Sequence, residues 1–188
     1  MTEVFTKRVA AGGDDGHTNS SGTFDNSAAF YIFGNVAGVT TNVFIRFTNI
    51  TIPQGAIIVS AKITVQAQAT KSTTTVNVLI KGNAAGDAVA PTTAGEHSSK
   101  VRTTASVAWS PVAQTAGSNY DSPDFTSVLQ EIINQPDWAS GNALMLLIDE
   151  NGSSNNAERR EDTYNGDSAN ATLLTVEYTV PDGGAIIF

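Results

Sequence analysis

The chain has 188 residues, of which 40% are hydrophobic and 15% charged, and it contains no cysteine. That length points to one domain, 1–188, large enough to bury a core without staples, and the missing cysteine excludes disulfides and thiol chemistry. Ten Lys+Arg against 18 Asp+Glu give a net charge of −8, which excludes the basic footprint of a nucleic-acid binder, disfavours anionic membranes and favours solubility.

Residues 3–9, EVFTKRV, fit a first strand, read as an extended N-terminal arm. Residues 11–27 are polar and turn-rich, residues 28–34 (AAFYIFG) form a short apolar strand, and Val43, Ile45 and Phe47 alternate in a third. Pro53 and Gly55 mark a turn. The clearest strand is 57–69, with Val59, Ala61, Ile63, Val65 and Ala67 on the face predicted to be buried and Ser60, Lys62, Thr64, Gln66 and Gln68 on the wet one. After KSTT, residues 75–82 repeat the pattern, so the two strands are expected to form a hairpin. Residues 82–100 hold few large apolar side chains and read as a long loop of the binding or assembly kind. Residues 102–110 read as a strand.

A helix is predicted over about 123–134. Ser122 is the expected N-cap and Pro123 suits the first turn. Phe125, Val128, Leu129, Ile132 and Ile133 form one apolar stripe. Pro136 stops it. Trp138 is expected to fold back onto the core and Gly141 to permit the turn into residues 144–148, LMLLI. That run is apolar on both sides, as in a central strand covered on both faces, and the helix is expected to supply cover. Residues 149–170 are polar, with a short strand expected near Thr163; residues 171–180 close the sheet. The fold expected is all-β, a jelly-roll-like antiparallel sandwich with one covering helix.

Four stretches in order, IRFTNITIPQGAIIVSAKITVQA, RTTASVAWSPV, SPDFTSVLQEIINQPDWASGNALMLLI and ATLLTVEYT, resemble the DNRLRE-type β-sandwich modules, related to some carbohydrate-binding modules, of bacterial, archaeal and phage surface proteins. The resemblance spans roughly residues 43–179. It implies a jelly-roll-like sandwich without a catalytic role, and a few relatives bind polysaccharide.

Nucleophilic catalysis needs a His beside a Ser with an orienting acid. The two histidines, His17 and His97, fall in polar stretches and are expected to be exposed, and no G-x-S-x-G elbow occurs. The adjacent carboxylates Asp14 and Asp15, Asp149 and Glu150, and Glu161 and Asp162 read as surface charge rather than glycosidase pairs. Asp14, Asp15, Asp149 and Asp162 are the candidate ligands of a structural calcium ion, the only cofactor considered. Tyr31, Tyr120 and Tyr164 are the candidate glycan contacts, while Trp109 and Trp138 are assigned to the core. Residues Gly184, Ala185, Ile186, Ile187 and Phe188 form an apolar run after glycine and are the candidate assembly contact, by adding a strand to a neighbour or filling its groove; the 3–9 arm is expected to act likewise.

The opening MTEVFTKRVAAGGDDG holds no apolar run of leader length, and no stretch of ~20 apolar residues occurs. Read as a complete gene product, the chain is expected to be made in a host cytoplasm and to reach a virus particle. The expected role is a structural protein of a phage particle, capsid decoration or a tail or fibre component, oligomeric and contacting other virion proteins. The alternative is a carbohydrate-binding module of a secreted or cell-surface bacterial protein, with polysaccharide as partner.

Overall fold

The computed structural model describes residues 1–72 and 75–181. Among them, twelve strands and two short helices build two antiparallel sheets. The smaller sheet has the order β1 (Thr2–Arg8), β12 (Leu173–Thr179), β6 (Ile57–Gln66), β9 (Asn119–Asp121). The larger runs β11 (Ala157–Asp162), β4 (Phe30–Val36), β5 (Val39–Phe47), β10 (Leu144–Glu150), β7 (Val78–Gly82), β8 (Val107–Trp109), with β2 (Asp15–Asn19) and β3 (Phe24–Asp25) beside β5.

Number β1, β5, β6, β7, β8, β9, β10 and β12 from one to eight along the chain. The sheets then read 1-8-3-6 and 2-7-4-5. That is the order of a jelly roll, two Greek keys wrapped into facing sheets. Strands β2, β3, β4 and β11 widen the larger sheet on one side.

This topology corrects the expected hairpin. β7 does not pair with β6; it lies in the opposite sheet between β10 and β8. Both strands bury one face against the same core, so their alternation is identical whether they share a sheet or face each other. The true tight hairpin is β4–β5. Val36 pairs with Val39, and Ala37 and Gly38 both take positive φ, 52° and 86°, as the two-residue turn that matches strand twist requires.

β10 is central and buried on both faces, as its sequence implied. Leu144, Leu146 and Ile148 join the main core between the sheets, whereas Met145 and Leu147 pack outside with Phe44, Ala88 and Phe24. The cover on that outer side is the 82–100 stretch, not the predicted helix. This stretch is no open loop. It contains helix α1 (Ala94–Ser99), whose first turn is capped by Thr93 accepting from the Glu96 amide at 3.1 Å. His97 is buried there, edge-on to Phe44 at 5.3 Å between ring centroids, which overturns its expected exposure. The polar 11–27 stretch likewise contains β2 and β3, with His17 half-buried, and the strand expected near Thr163 is β11, ending one residue before it.

The predicted helix is α2 (Thr126–Ile133), and its whole stripe, Phe125, Val128, Leu129, Ile132 and Ile133, is buried. It packs on β6 and on β7, one strand from each sheet, and so closes one side of the sandwich. Ser122 is not its N-cap. Ser122 pairs instead with Ile63: its amide donates to the Ile63 carbonyl at 2.9 Å, and its Oγ accepts from the Ile63 amide at 3.1 Å. Trp138 is buried as expected, with Nε1 donating to the Ile52 carbonyl at 3.0 Å.

Candidate interaction face

β1, β12 and β6 turn one face outward. In register across them stand Thr2, Thr179 and Ile57. One step along, Glu177 pairs with Ser60 and Tyr178 with Ile58, which leaves Val59 as an unpaired extra residue. Such a bulge re-aims side chains. Here it reverses the predicted alternation at the start of β6, where Val59 is exposed and Ile58 buried, while Ala61, Ile63, Val65 and Ala67 are buried as predicted. Val4 is 66% exposed, Ile57 55%, Val59 50% and Val180 40%. These four lie at one end of the smaller sheet, beside both the start and the end of the described chain. Further along the same sheet the face becomes polar, with Lys62 and Thr64 both donating to Asp121 at 2.6 Å. Among the described residues the remaining exposed large apolar side chains beyond Met1 are Val89, Val101 and Val112; Val89 and Val101 sit in the connection from β7 to β8, and Val112 in the crossing from β8 to β9. Scattered single apolar residues are ordinary on a surface, whereas a gathered group marks an interaction site.

The candidate calcium ligands do not gather. Asp14 accepts from Arg46 at 2.6 Å. Asp149 lies between Arg102 at 3.1 Å and Lys81 at 3.5 Å. Asp162 is half-buried at the end of β11. Asp15 is fully buried, with Oδ2 accepting from the Tyr164 amide at 2.9 Å. Among the described residues no three Asp, Glu or His side chains converge as a metal would need, because cations of the protein already occupy two of the four.

The candidate glycan contacts do not form a platform either. Tyr31 is fully buried, its hydroxyl 2.6 Å from Thr172 Oγ1, so it offers no ring face to a sugar. Tyr120 and Tyr164 are half-buried and pack on the core, and the Tyr120 hydroxyl accepts from the Thr115 amide at 2.8 Å. The apolar run Gly184–Phe188 lies outside the described residues. The first strand expected over 3–9 is β1, and it is paired along its length with β12.

The sequence reading missed a buried polar group in the larger sheet. Glu161, read as surface charge, is fully buried on β11, with Oε1 accepting from Gln114 Nε2 at 2.8 Å. Oε2 of Glu161 and Oδ1 of Asp15 have no hydrogen-bond partner among the described residues. Burial pushes the Asp15 carboxyl up to about 7 and the Glu161 carboxyl to about 8, so both tend to hold their protons. Burial also drives the Tyr31 hydroxyl upward, with Glu161 and Asp15 adding to the effect. His97 shares Nδ1 with Thr18 Oγ1 at 2.8 Å and is pushed down to about 4, first by burial and then by Arg102. The run AERRED on β11 carries a charge at five of its six positions; with apolar side chains nearly absent, no alternation betrays its buried face. Among the described residues no pocket opens.

No protein-family model matches the chain, and no curated protein matches it.

Proposed function

We propose that this chain is a non-catalytic structural module of a virus particle, a capsid decoration or a tail or fibre component, that docks through the outer face of its smaller sheet. The observation that carries this reading is the group Val4, Ile57 and Val59. On an acidic molecule, these three exposed apolar side chains lie at one end of one sheet face, on either side of β12, the two on β6 set by its bulge. A face of this kind loses little by desolvation and gains by apolar burial when a partner covers it. The resemblance to phage and bacterial surface modules points the same way. The jelly roll agrees with it by analogy only, since one fold serves many functions.

The test is immunogold labelling of density-gradient-purified particles and of cell walls from the source culture. Label on particles is the expected result, lost when the chain carries Val4→Asp with Val59→Asp. Label confined to cell-wall polysaccharide would overturn the reading in favour of a carbohydrate-binding module.

A further inference from the structure

The smaller sheet ends at β1. This strand pairs with β12 over Thr2–Arg8, and among the described residues nothing pairs with its other edge. Just beyond it, the Val9 amide donates to the Thr172 carbonyl at 3.1 Å, in continuation of the same register. Main-chain groups of successive residues in an antiparallel strand face opposite sides. Glu3, Phe5 and Lys7 therefore bond β12, and the N–H and C=O groups of Thr2, Val4, Thr6 and Arg8 face the open edge, a template for an added strand. We propose that the occupant of this edge is β1 of a second copy, paired antiparallel about a two-fold axis at Phe5, so that the smaller sheet runs on through both molecules.

The charge pattern of the strand selects this partner and this register. β1 reads TEVFTKR. The groups on the open edge belong to even-numbered residues, so even residues must stand opposite even ones, and the axis must pass through a residue and its own copy. With the axis at Phe5 the whole strand overlaps: Thr2 meets Arg8, Glu3 meets Lys7 and Val4 meets Thr6, and each of these pairs recurs by symmetry. Every N–H and C=O on the open edge then has a partner. An axis at Val4 sets Glu3 against Phe5, and an axis at Thr6 sets Phe5 against Lys7. Of the three, the axis at Phe5 alone joins opposite charges.

Glu3, Phe5 and Lys7 share the inner face, and in this register they form the non-hydrogen-bonded pairs, whose side chains stand closest. Oε2 of Glu3 accepts from the Tyr178 hydroxyl at 2.7 Å, which holds the carboxylate in place and leaves Oε1 for the ammonium of Lys7 from the other copy. Phe5 is half-buried against the core, and its copy covers the remainder. A lysine on an edge strand ordinarily refuses added strands. An acid set opposite lifts that refusal, and β1 itself carries one. The outer faces of the two copies lie on the same side of the joined sheet, so Val4, Ile57 and Val59 of both contribute to one broader face. Because the contact uses the same edge of each molecule, association closes at two copies.

Charge reversal tests the register. By light scattering over a range of concentrations the intact chain is expected to dimerise. Glu3→Lys and Lys7→Glu chains each set like charges opposite one another at both symmetric places, and each alone is expected to dimerise roughly tenfold or more weakly. An equimolar mixture of the two restores both opposite-charge pairs and is expected to dimerise as the parent does, which a structural role for either side chain within its own molecule would not give. The chain is free of cysteine, so thiols report on the same contact. Glu3→Cys and Lys7→Cys chains, mixed and oxidised, are expected to cross-link to each other and neither to itself, since only the opposed positions lie within disulfide reach. A monomer at every concentration would overturn the proposal. So would dimerisation unmoved by either reversal, or a mixture no tighter than its components. Particle labelling is scored separately: a monomer that still labels particles sinks the paired edge alone, and a charge-sensitive dimer found only on cell-wall polysaccharide sinks the virion reading alone.

Discussion

The two sides of the smaller sheet end differently. Beyond short β9, the edge of β6 is sealed by side chains: the Ile63 amide donates to Ser122 Oγ at 3.1 Å, the Ala61 amide to Asp124 Oδ2 at 2.9 Å and the Ile58 amide to Gln130 Oε1 at 2.8 Å. Those three residues come from α2 and its lead-in, so the helix closes an edge as well as a core. β1, at the other side, has no such cover among the described residues. Sheet edges left open invite other chains, and proteins usually blunt them. One edge here is closed by polar side chains of α2 and its lead-in, and the other carries exposed Val4. The contrast assigns structure to the α2 side, and the proposed docking would use the β1 side.

The largest effect is expected from unseating the seal. Leu129→Ala empties a fully buried position and is expected to cost about 2–5 kcal/mol, read as a lower denaturant midpoint at unchanged slope. A smaller loss would mean that α2 is less firmly part of the core than its burial implies. Next comes the edge itself. Asp124→Ala leaves the Ala61 amide without its acceptor and removes the carboxylate that also receives the Thr126 amide at 3.0 Å. The expected cost is about 1–3 kcal/mol. It should come with faster hydrogen exchange at Ala61; unchanged exchange there would break the idea that side chains seal this edge.

The apolar stripe of α2, the double-sided burial of residues 144–148 and the period-two run of β6 were all legible, because each signal is local and repeats. The two sides of the smaller sheet were legible to different degrees. Ser122 looked like a cap because caps and edge partners use the same residue type; only the position of β6 beside it decides. Val59 looked buried because a bulge leaves no mark in the alternation of one strand, being a mismatch between two. His97, Asp15 and Glu161 were read as exposed because polar residues in polar stretches usually are, and their burial depends on what packs over them from distant sequence. Residues 3–9 were legible as a first strand, β1; which of its edges stays unpaired among the described residues depends on β12, distant in sequence.

Titration offers a way to change overall stability without altering either edge. Asp15 and Glu161 are raised from 3.8 to about 7 and from 4.5 to about 8. A group whose folded value is raised stabilises fully below its unfolded value and loses that contribution as pH rises through the folded value. His97, lowered from 6.5 to about 4, acts oppositely, and its contribution fades as pH falls from 6.5 toward 4. His17 is also lowered, by burial. Between pH 8 and 6.5 only the carboxyls change much, so the melting temperature is expected to rise on acidification across that window and to level or fall below it, where the histidines oppose. Glu161→Gln keeps the shape and removes the titration, and should flatten the upper limb. An upper limb of undiminished slope in that variant would show that Glu161 does not hold its proton in the folded state.

The smallest effect on folding is expected at β1, and that is where the comparison is sharpest. Val4→Lys replaces a 66% exposed side chain that makes little of the core, so stability should stay within about 0.5 kcal/mol of the parent. The same change places a charge on an open edge, the device by which natural sheets refuse added strands. It should therefore weaken self-association and particle docking while leaving the melting curve nearly unmoved. Leu129→Ala should do the reverse, lowering stability at temperatures where the remaining folded molecules still associate. If Val4→Lys instead unfolds the protein, β1 belongs to the closed core and the asymmetry between the two edges fails. If it folds and associates as the parent does, the edge is open but unused, and Ile57 and Val59, further across the same face, become the residues to change next.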